Sequence, residues 1–211
     1  MGGKRVVNQS KKVRNLFENL PEEEAFALCG IDEAGRGPLA GPLVVAGVIL
    51  LQRINGLQDS KKLDAKQRER FYERILERSR YHLVVIEAAE IDGHGISWCL
   101  RKALEEIVAV LGGPGVRFLF DGNSRYGVTE ITTMVKADGR IREVSAASIL
   151  AKVTRDRIMQ QQAQLYPQYG FEQHKGYGTA EHLEAIERYG LCPIHRRSFH
   201  VKKLSDDPTL F

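Results

Sequence analysis

Two carboxylates stand side by side in GIDEAGRGPLAGP (Gly30–Pro42), Asp32 and Glu33, and the apolar run before them gives way to glycines, prolines and one arginine, Arg36. Two further aspartates open Asp-Gly pairs after apolar runs, Asp121 in FLFDGN and Asp138 in MVKADGR. Carboxylates that converge repel one another: two unit charges 4 Å apart at an effective dielectric constant of 20 interact by roughly 4 kcal/mol. A cation among them removes that cost. Oxygen donors with no cysteine or histidine partner suit a hard ion, Mg²⁺ or Mn²⁺. The chemistry such a cluster supports is metal-assisted. Asp-Gly is also a common turn dipeptide, and Asp92-Gly93 is a third instance after a strand-like run. Spacing alone does not choose among Asp92, Asp121 and Asp138. Asp156, mid-helix between Arg155 and Arg157, reads as an ion-pair partner.

Other chemistries find no support. GRGPLAG is one residue too long for a dinucleotide fingerprint and carries a proline, and there is no Walker A or HExxH motif. No serine or cysteine sits in a nucleophile elbow. The six histidines never fall at metal-ligand helical spacing; His195 and His200 read as structural or phosphate-facing. Cys29, Cys99 and Cys192 are odd in number and far apart, which fits free thiols in a reducing compartment. The longest apolar run, Leu43–Leu51, is far short of the roughly 20 residues a membrane helix needs. The first residues carry charges but no apolar signal core, so a cytoplasmic protein is expected. A net charge of +4 permits a polyanionic partner without demanding one.

The elements that must position the acids follow from periodicity. Ala25–Asp32 and Leu43–Leu51 read as strands, the second apolar enough to be buried on both faces. Asp64 and Gln67 form a capping-box pattern for a helix reaching about Arg80, with Phe71, Tyr72, Ile75 and Leu76 toward a core. Tyr81–Ala88 reads as a strand and Ile96–Leu111 as a helix stopped by glycines. Strands at Val116–Phe120 and Ile131–Ala137 precede helices at about Ser145–Tyr166 and Ala180–Tyr189. This order predicts an α/β fold, a mixed sheet of about five strands flanked by helices. Asp32, Asp121 and Asp138 then end the first, fourth and fifth strands, where open α/β sheets bind ligands. Residues 1–24, with Lys4, Arg5, Lys11, Lys12 and Arg14 ahead of any acid, read as a basic, flexible arm.

GIDEAGRGPLAGP closely resembles the signature of ribonuclease HII, the type 2 ribonuclease H. DSKKL (Asp59–Leu63), FDG, KAD followed by SAASILAKVTRDR, HKGYGT (His174–Thr179) and PIHRRSF (Pro193–Phe199) agree with that family in order. The likeness spans roughly residues 25–200, the expected catalytic domain, and leaves 201–211 as a tail. It implies a ribonuclease H-like fold and four metal-binding, catalytic acids, Asp32, Glu33, Asp121 and Asp138. Asp32 would close its strand, and Glu33 would start the turn that swings both carboxylates to one site.

The resemblance also implies a reaction: hydrolysis of the RNA strand of an RNA–DNA hybrid, and incision 5′ of a single ribonucleotide embedded in DNA. The products would be 3′-hydroxyl and 5′-phosphate ends, formed with two divalent ions. Gly35, Arg36, Gly37 and Tyr177 would read the 2′-hydroxyl and the RNA-to-DNA junction. Lys61, Lys175, Arg196 and Arg197 would contact phosphates. A monomer is expected. The closing DDPTLF faintly resembles Leu-Phe-ended peptides that bind the bacterial sliding clamp, without their usual glutamine. A nuclease of the same fold acting on DNA alone and a non-catalytic hybrid-binding module are the competing readings.

Overall fold

The computed structural model describes residues 26–57 and 63–199. The basic arm, Lys61 and the tail with His200 lie outside the described residues. Strands β1 (Ala27–Ala34), β2 (Leu43–Leu50) and β3 (Ser79–Ile86) form an antiparallel meander, and β4 (Val116–Phe120) and β5 (Ile131–Thr133) join it in parallel. The sheet order is β3-β2-β1-β4-β5. The helices are α1 (Ala65–Arg78), α2 (Ala88–His94), α3 (Ile96–Leu111), α4 (Arg142–Leu165) and α5 (Ala180–Tyr189). A single helical turn, Phe171–His174, precedes the last of them.

Alternation along β2 builds the layers. Leu43, Val45 and Ile49 pack with Leu100, Leu104 and Ile107 of α3, while Val44, Ala46 and Val48 pack with Ile75 of α1 and Leu150 of α4. Both faces are therefore covered, as the unbroken apolar run requires. The α1 capping box forms as the sequence suggests: Asp64 Oδ1 accepts from Gln67 N–H at 2.7 Å, and Gln67 Oε1 accepts from Asp64 N–H at 2.9 Å. Among the described residues no helix is long and apolar enough to cross a membrane.

Helix α4 lies against β1 at Gly30. A Cβ there would fall 2.2 Å from the Glu143 carbonyl carbon, so only glycine admits the helix so close. That approach sets Ser148 of α4 beside Asp32.

Three differences from expectation bear on the acids. β1 does not end at Asp32: Asp32 pairs with Ala46 and Glu33 with Val45, and the strand runs to Ala34. β5 is three residues long and stops well before Asp138, and Lys136 between them lies in left-handed backbone (φ 59°). Asp92 lies in helix α2, not in a turn after a strand.

Candidate active site

The carboxylates meet where β4 stops. β1 and β4 pair in parallel only as far as Ile31 and Phe120, and Asp121 N–H donates to the Ile31 carbonyl at 2.9 Å. Beyond that point one flank of β1 is open, and Asp121 occupies it as the neighbour of Asp32 and Glu33. Glu33 therefore reaches this region from within a regular strand; no turn swings it there.

Asp121 also organises its partner. Its Oδ1 accepts from Lys136 N–H at 2.8 Å and its Oδ2 from Asp138 N–H at 3.0 Å. Ser145, in the first turns of α4, donates its hydroxyl to the carbonyls of Asp138 and Ile141. The chain from β5 to α4 is thus folded around the Asp121 carboxylate, which places Asp138 at the site. One oxygen from each of Asp32, Asp121 and Asp138 lies within 4.8 Å of the others.

Burial and mutual repulsion act on Asp32, Glu33 and Asp121. Burial, then the charge of Glu33, pushes the Asp32 carboxyl well above the usual carboxylate range. Burial raises Glu33 to about 7 despite the Arg36 guanidinium, with Asp121 adding to the rise. Asp121 is raised as well, chiefly by burial. Glu33 stands beside the trio and is 3.9 Å from Arg36 Nη1. Its Oε2 is buried with no hydrogen-bond partner among the described residues. A buried oxygen left open next to three carboxylates, with no nitrogen or sulfur donor among them, fits a hard divalent cation.

The rest of the signature forms a cleft of about 250 Å³ next to Glu33, lined by Gly35, Arg36, Gly37 and Tyr177 on one side and Ser148, Lys152 and Arg155 of α4 on another. Tyr177 is 49% exposed, with the Arg155 guanidinium 5.7 Å from its ring centre. Residues 33–37, four residues of α4 and Tyr177, distant in sequence, are thus brought to one place.

Arg196 is not a phosphate contact. It is 2% exposed, and its guanidinium donates to the carbonyls of Gly35 (2.6 Å), Gly41 (2.8 Å) and Arg36 (3.2 Å). Its charge serves the Gly35–Gly41 loop from beneath. Arg155, which the sequence offered only as a neighbour of Asp156, does the same: it donates to Pro42 O at 2.9 Å and Ala40 O at 3.0 Å. Gly35, at φ +92°, has its missing Cβ directed at Arg155 Nε, 2.2 Å away, so the loop closes on the guanidinium only through a glycine. Removing the Arg196 guanidinium by Arg196→Met would strand several buried carbonyls, a loss of about 3 kcal/mol or more. For a chain of this size that is a fall in Tm of roughly 6–12 °C. A phosphate contact would instead leave Tm unchanged and alter only the salt dependence of binding.

The remaining candidates have other partners. Lys175 donates its Nζ to the Glu172 carbonyl at 2.7 Å. Arg197 is exposed, and its backbone amide is held by Asp92 Oδ2 at 2.8 Å. Asp92 is a clasp for the PIHRRSF segment, far from the trio in role. Asp156 pairs with Lys152 at 3.2 Å, not with the flanking arginines. His195 is buried and lies 3.0 Å from His182 Nε2, so it is structural. His182 itself carried no sequence signal beyond its place three residues after Thr179.

Comparison with known proteins agrees with this geometry. The family model described as Ribonuclease HII matches residues 29–202. A ribonuclease HII of Sulfurovum sp. (strain NBC37-1) is 60% identical over 190 residues, 90% of this chain and 100% of that protein. The enzyme in the PCNA:RNase HII complex from Archaeoglobus fulgidus superposes with a TM-score of 0.72 at 26% identity, covering 86% of this chain and 100% of its own. Ribonuclease H2 from Pyrococcus horikoshii OT3 gives a TM-score of 0.69 at 28% identity, covering 83% of this chain and 94% of its own. With the family model covering most of the chain and a relative 60% identical over its whole length, the chain belongs to the ribonuclease HII family, metal-dependent endoribonucleases that act on RNA–DNA substrates.

Proposed function

We propose that this enzyme, besides cutting the RNA strand of a hybrid, incises duplex DNA on the 5′ side of a lone ribonucleotide and leaves 3′-hydroxyl and 5′-phosphate ends. The observation that carries the reading is the junction of two devices. Three converging aspartates have Glu33 beside them, and Glu33 lines a cleft with Gly35–Gly37 and Tyr177.

Asp32, Asp121 and Asp138, with Glu33 beside them, would hold two Mg²⁺ or Mn²⁺ ions. When bound, such ions activate the attacking water and stabilise the leaving 3′ oxygen. Burial raises the proton affinities of Asp32 and Glu33, so both would have to be deprotonated to hold a cation. The backbone of Gly35–Gly37 approaches the sugar–phosphate chain without side-chain hindrance and contacts the 2′-hydroxyl. Tyr177 packs its exposed ring against the neighbouring sugar, where a deoxyribose fits and a ribose does not. Lys152 and Arg36, at the rim, add a field that draws in the phosphates, so binding weakens with salt.

The test is a DNA duplex with one ribonucleotide, incubated with Mg²⁺ or Mn²⁺ beside an all-DNA control. Cleavage of the first alone, at the 5′ side of the ribonucleotide, is expected. Tyr177→Ala should lower the rate on that substrate by about tenfold more than on a long hybrid, equivalent to a lost contact of about 1.4 kcal/mol. Equal losses would place junction sensing elsewhere.

Free, buried Cys29, Cys99 and Cys192 fit work in the reducing cytoplasm. We further propose a monomer, whose closing TLF residues contact a sliding clamp, by analogy with the PCNA complex of the A. fulgidus enzyme. Deleting Thr209–Phe211 should then abolish capture by the clamp; capture that survives the deletion ends that idea.

A further inference from the structure

Behind the cleft, three segments distant in sequence are laced together. Leu39 N–H donates to Gly176 O at 2.8 Å, Gly41 N–H to Ile194 O at 2.8 Å, and Arg196 N–H to Leu39 O at 2.8 Å. A line of rings runs through this lacing. His174 stacks on His182 with centroids 4.5 Å apart, and His182 Nε2 lies 3.0 Å from His195 Nε2. His182 is 0% exposed and His195 2%.

Only one proton fits between two nitrogens at that separation, and the ends of the line decide where it sits. Cys192 N–H donates to His195 Nδ1 at 2.9 Å, closer than the Cys192 carbonyl at 3.3 Å. His195 Nδ1 is therefore bare, and its proton is on Nε2. That proton is donated to His182 Nε2, which leaves the His182 proton on Nδ1, 3.0 Å from the Tyr177 carbonyl. The same carbonyl accepts from Thr179 N–H at 2.8 Å. Burial drives both rings down to about 4, so neither carries a charge near neutrality.

We infer that His182 and His195 are positioning residues for Tyr177, a single-tautomer histidine bridge that ties the peptide of the reading tyrosine to the PIHRRSF segment. The Tyr177 ring is half exposed, so its aim depends on the peptides flanking it. The bridge fixes one of them from the core side. Its importance for substrate choice rests on the role proposed above for Tyr177; its existence does not.

Ring ¹⁵N NMR of the full chain at neutral pH reads the bridge directly. His182 should be the Nδ1–H tautomer and His195 the Nε2–H tautomer; the reverse assignment, or a charged ring, overturns it. Two substitutions read the consequence. His182→Asn sets an amide nitrogen where Nδ1 stood and keeps the bond to Tyr177. His182→Gln reaches only the Nε2 position and loses it. The ratio of lone-ribonucleotide to hybrid cleavage should fall about tenfold in His182→Gln, the worth of one hydrogen bond, and stay within about threefold in His182→Asn. Equal loss on both substrates overturns the positioning role. Should His182→Gln fail to fold, His195→Leu removes the donor to His182 and is expected to lower the same ratio; an unchanged ratio is the overturning result. A wild-type enzyme that ignores the lone ribonucleotide would defeat the proposed function while the tautomers still judge the bridge.

Discussion

Asp121→Asn should lower cleavage of an RNA–DNA hybrid by about a thousandfold or more while leaving hybrid affinity near that of the wild type. Charge stabilisation by a bound ion amounts to several kcal/mol at the transition state, and each 1.36 kcal/mol is roughly tenfold in rate. The substitution acts twice. It removes one of three converging charges, and it replaces an acceptor by an amide where both oxygens are used. Lys136 N–H and Asp138 N–H each need an oxygen from residue 121. An asparagine supplies one, so one amide faces another N–H and the turn that carries Asp138 shifts. A stability loss of about 1–2 kcal/mol should accompany the loss of activity. Single-turnover cleavage, hybrid binding and Tm measured on one preparation check all parts. Turnover within tenfold of wild type would remove Asp121 from the reaction.

Glu33→Gln should stabilise the metal-free protein, and increasingly so as pH rises. In the fold Glu33 keeps its proton up to about 7; unfolded, it loses it near the ordinary value of 4.5. Between those values the native state binds more protons, so stability falls as pH rises through the window. The full difference is at most about 3 kcal/mol. His182 and His195 work in the opposite sense. Their affinities drop from 6.5 to about 4 on folding, so the stability they contribute is present above 6.5 and lost as pH falls. The two effects offset each other in a wild-type melting curve below pH 6.5. The difference between variant and wild type isolates the carboxyl. In EDTA, Tm of Glu33→Gln minus Tm of wild type should grow by roughly 6–12 °C from pH 4.5 to 7.5. Adding Mg²⁺ or Mn²⁺ at pH 7.5 should shrink the gap, since the cation stabilises the ionised wild type. A gap that does not change with pH would mean that Glu33 is not held protonated.

Much of this was legible in the sequence, for identifiable reasons. β2 announced itself because a strand covered on both faces must be apolar at every position, and Leu43–Leu50 is. α1 announced itself through Asp64 and Gln67, because capping is a local transaction. The order of the motifs pointed to the acids, but their route to one place was misread. β1 outlasts β4, and nothing in GIDEAGR records where a neighbouring strand will stop. β5 looked longer because TTMVKA alternates plausibly, while the Lys136 and Asp138 amides are taken by a carboxylate outside the ladder. The roles of Arg155 and Arg196 were hidden for another reason. Their partners are backbone carbonyls more than a hundred residues away, and a carbonyl has no letter of its own. An arginine that anchors a loop and one that grips a phosphate look alike until burial is known.

The continuous α4 helix acts as a ruler between two machines. Gly30 pins one end against β1 at Glu143 and Val144, and Arg155 fastens the other under Ala40 and Pro42. One residue inserted between Ser148 and Arg155 would rotate everything beyond it by about 100° and advance it about 1.5 Å. Such a lesion would rotate Arg155 away from the Ala40 and Pro42 carbonyls and shift the proposed sugar-reading loop relative to the acids. Between Ser148 and Arg155 the helix therefore has a fixed length, which sets the spacing between the acids and the Gly35–Pro42 loop.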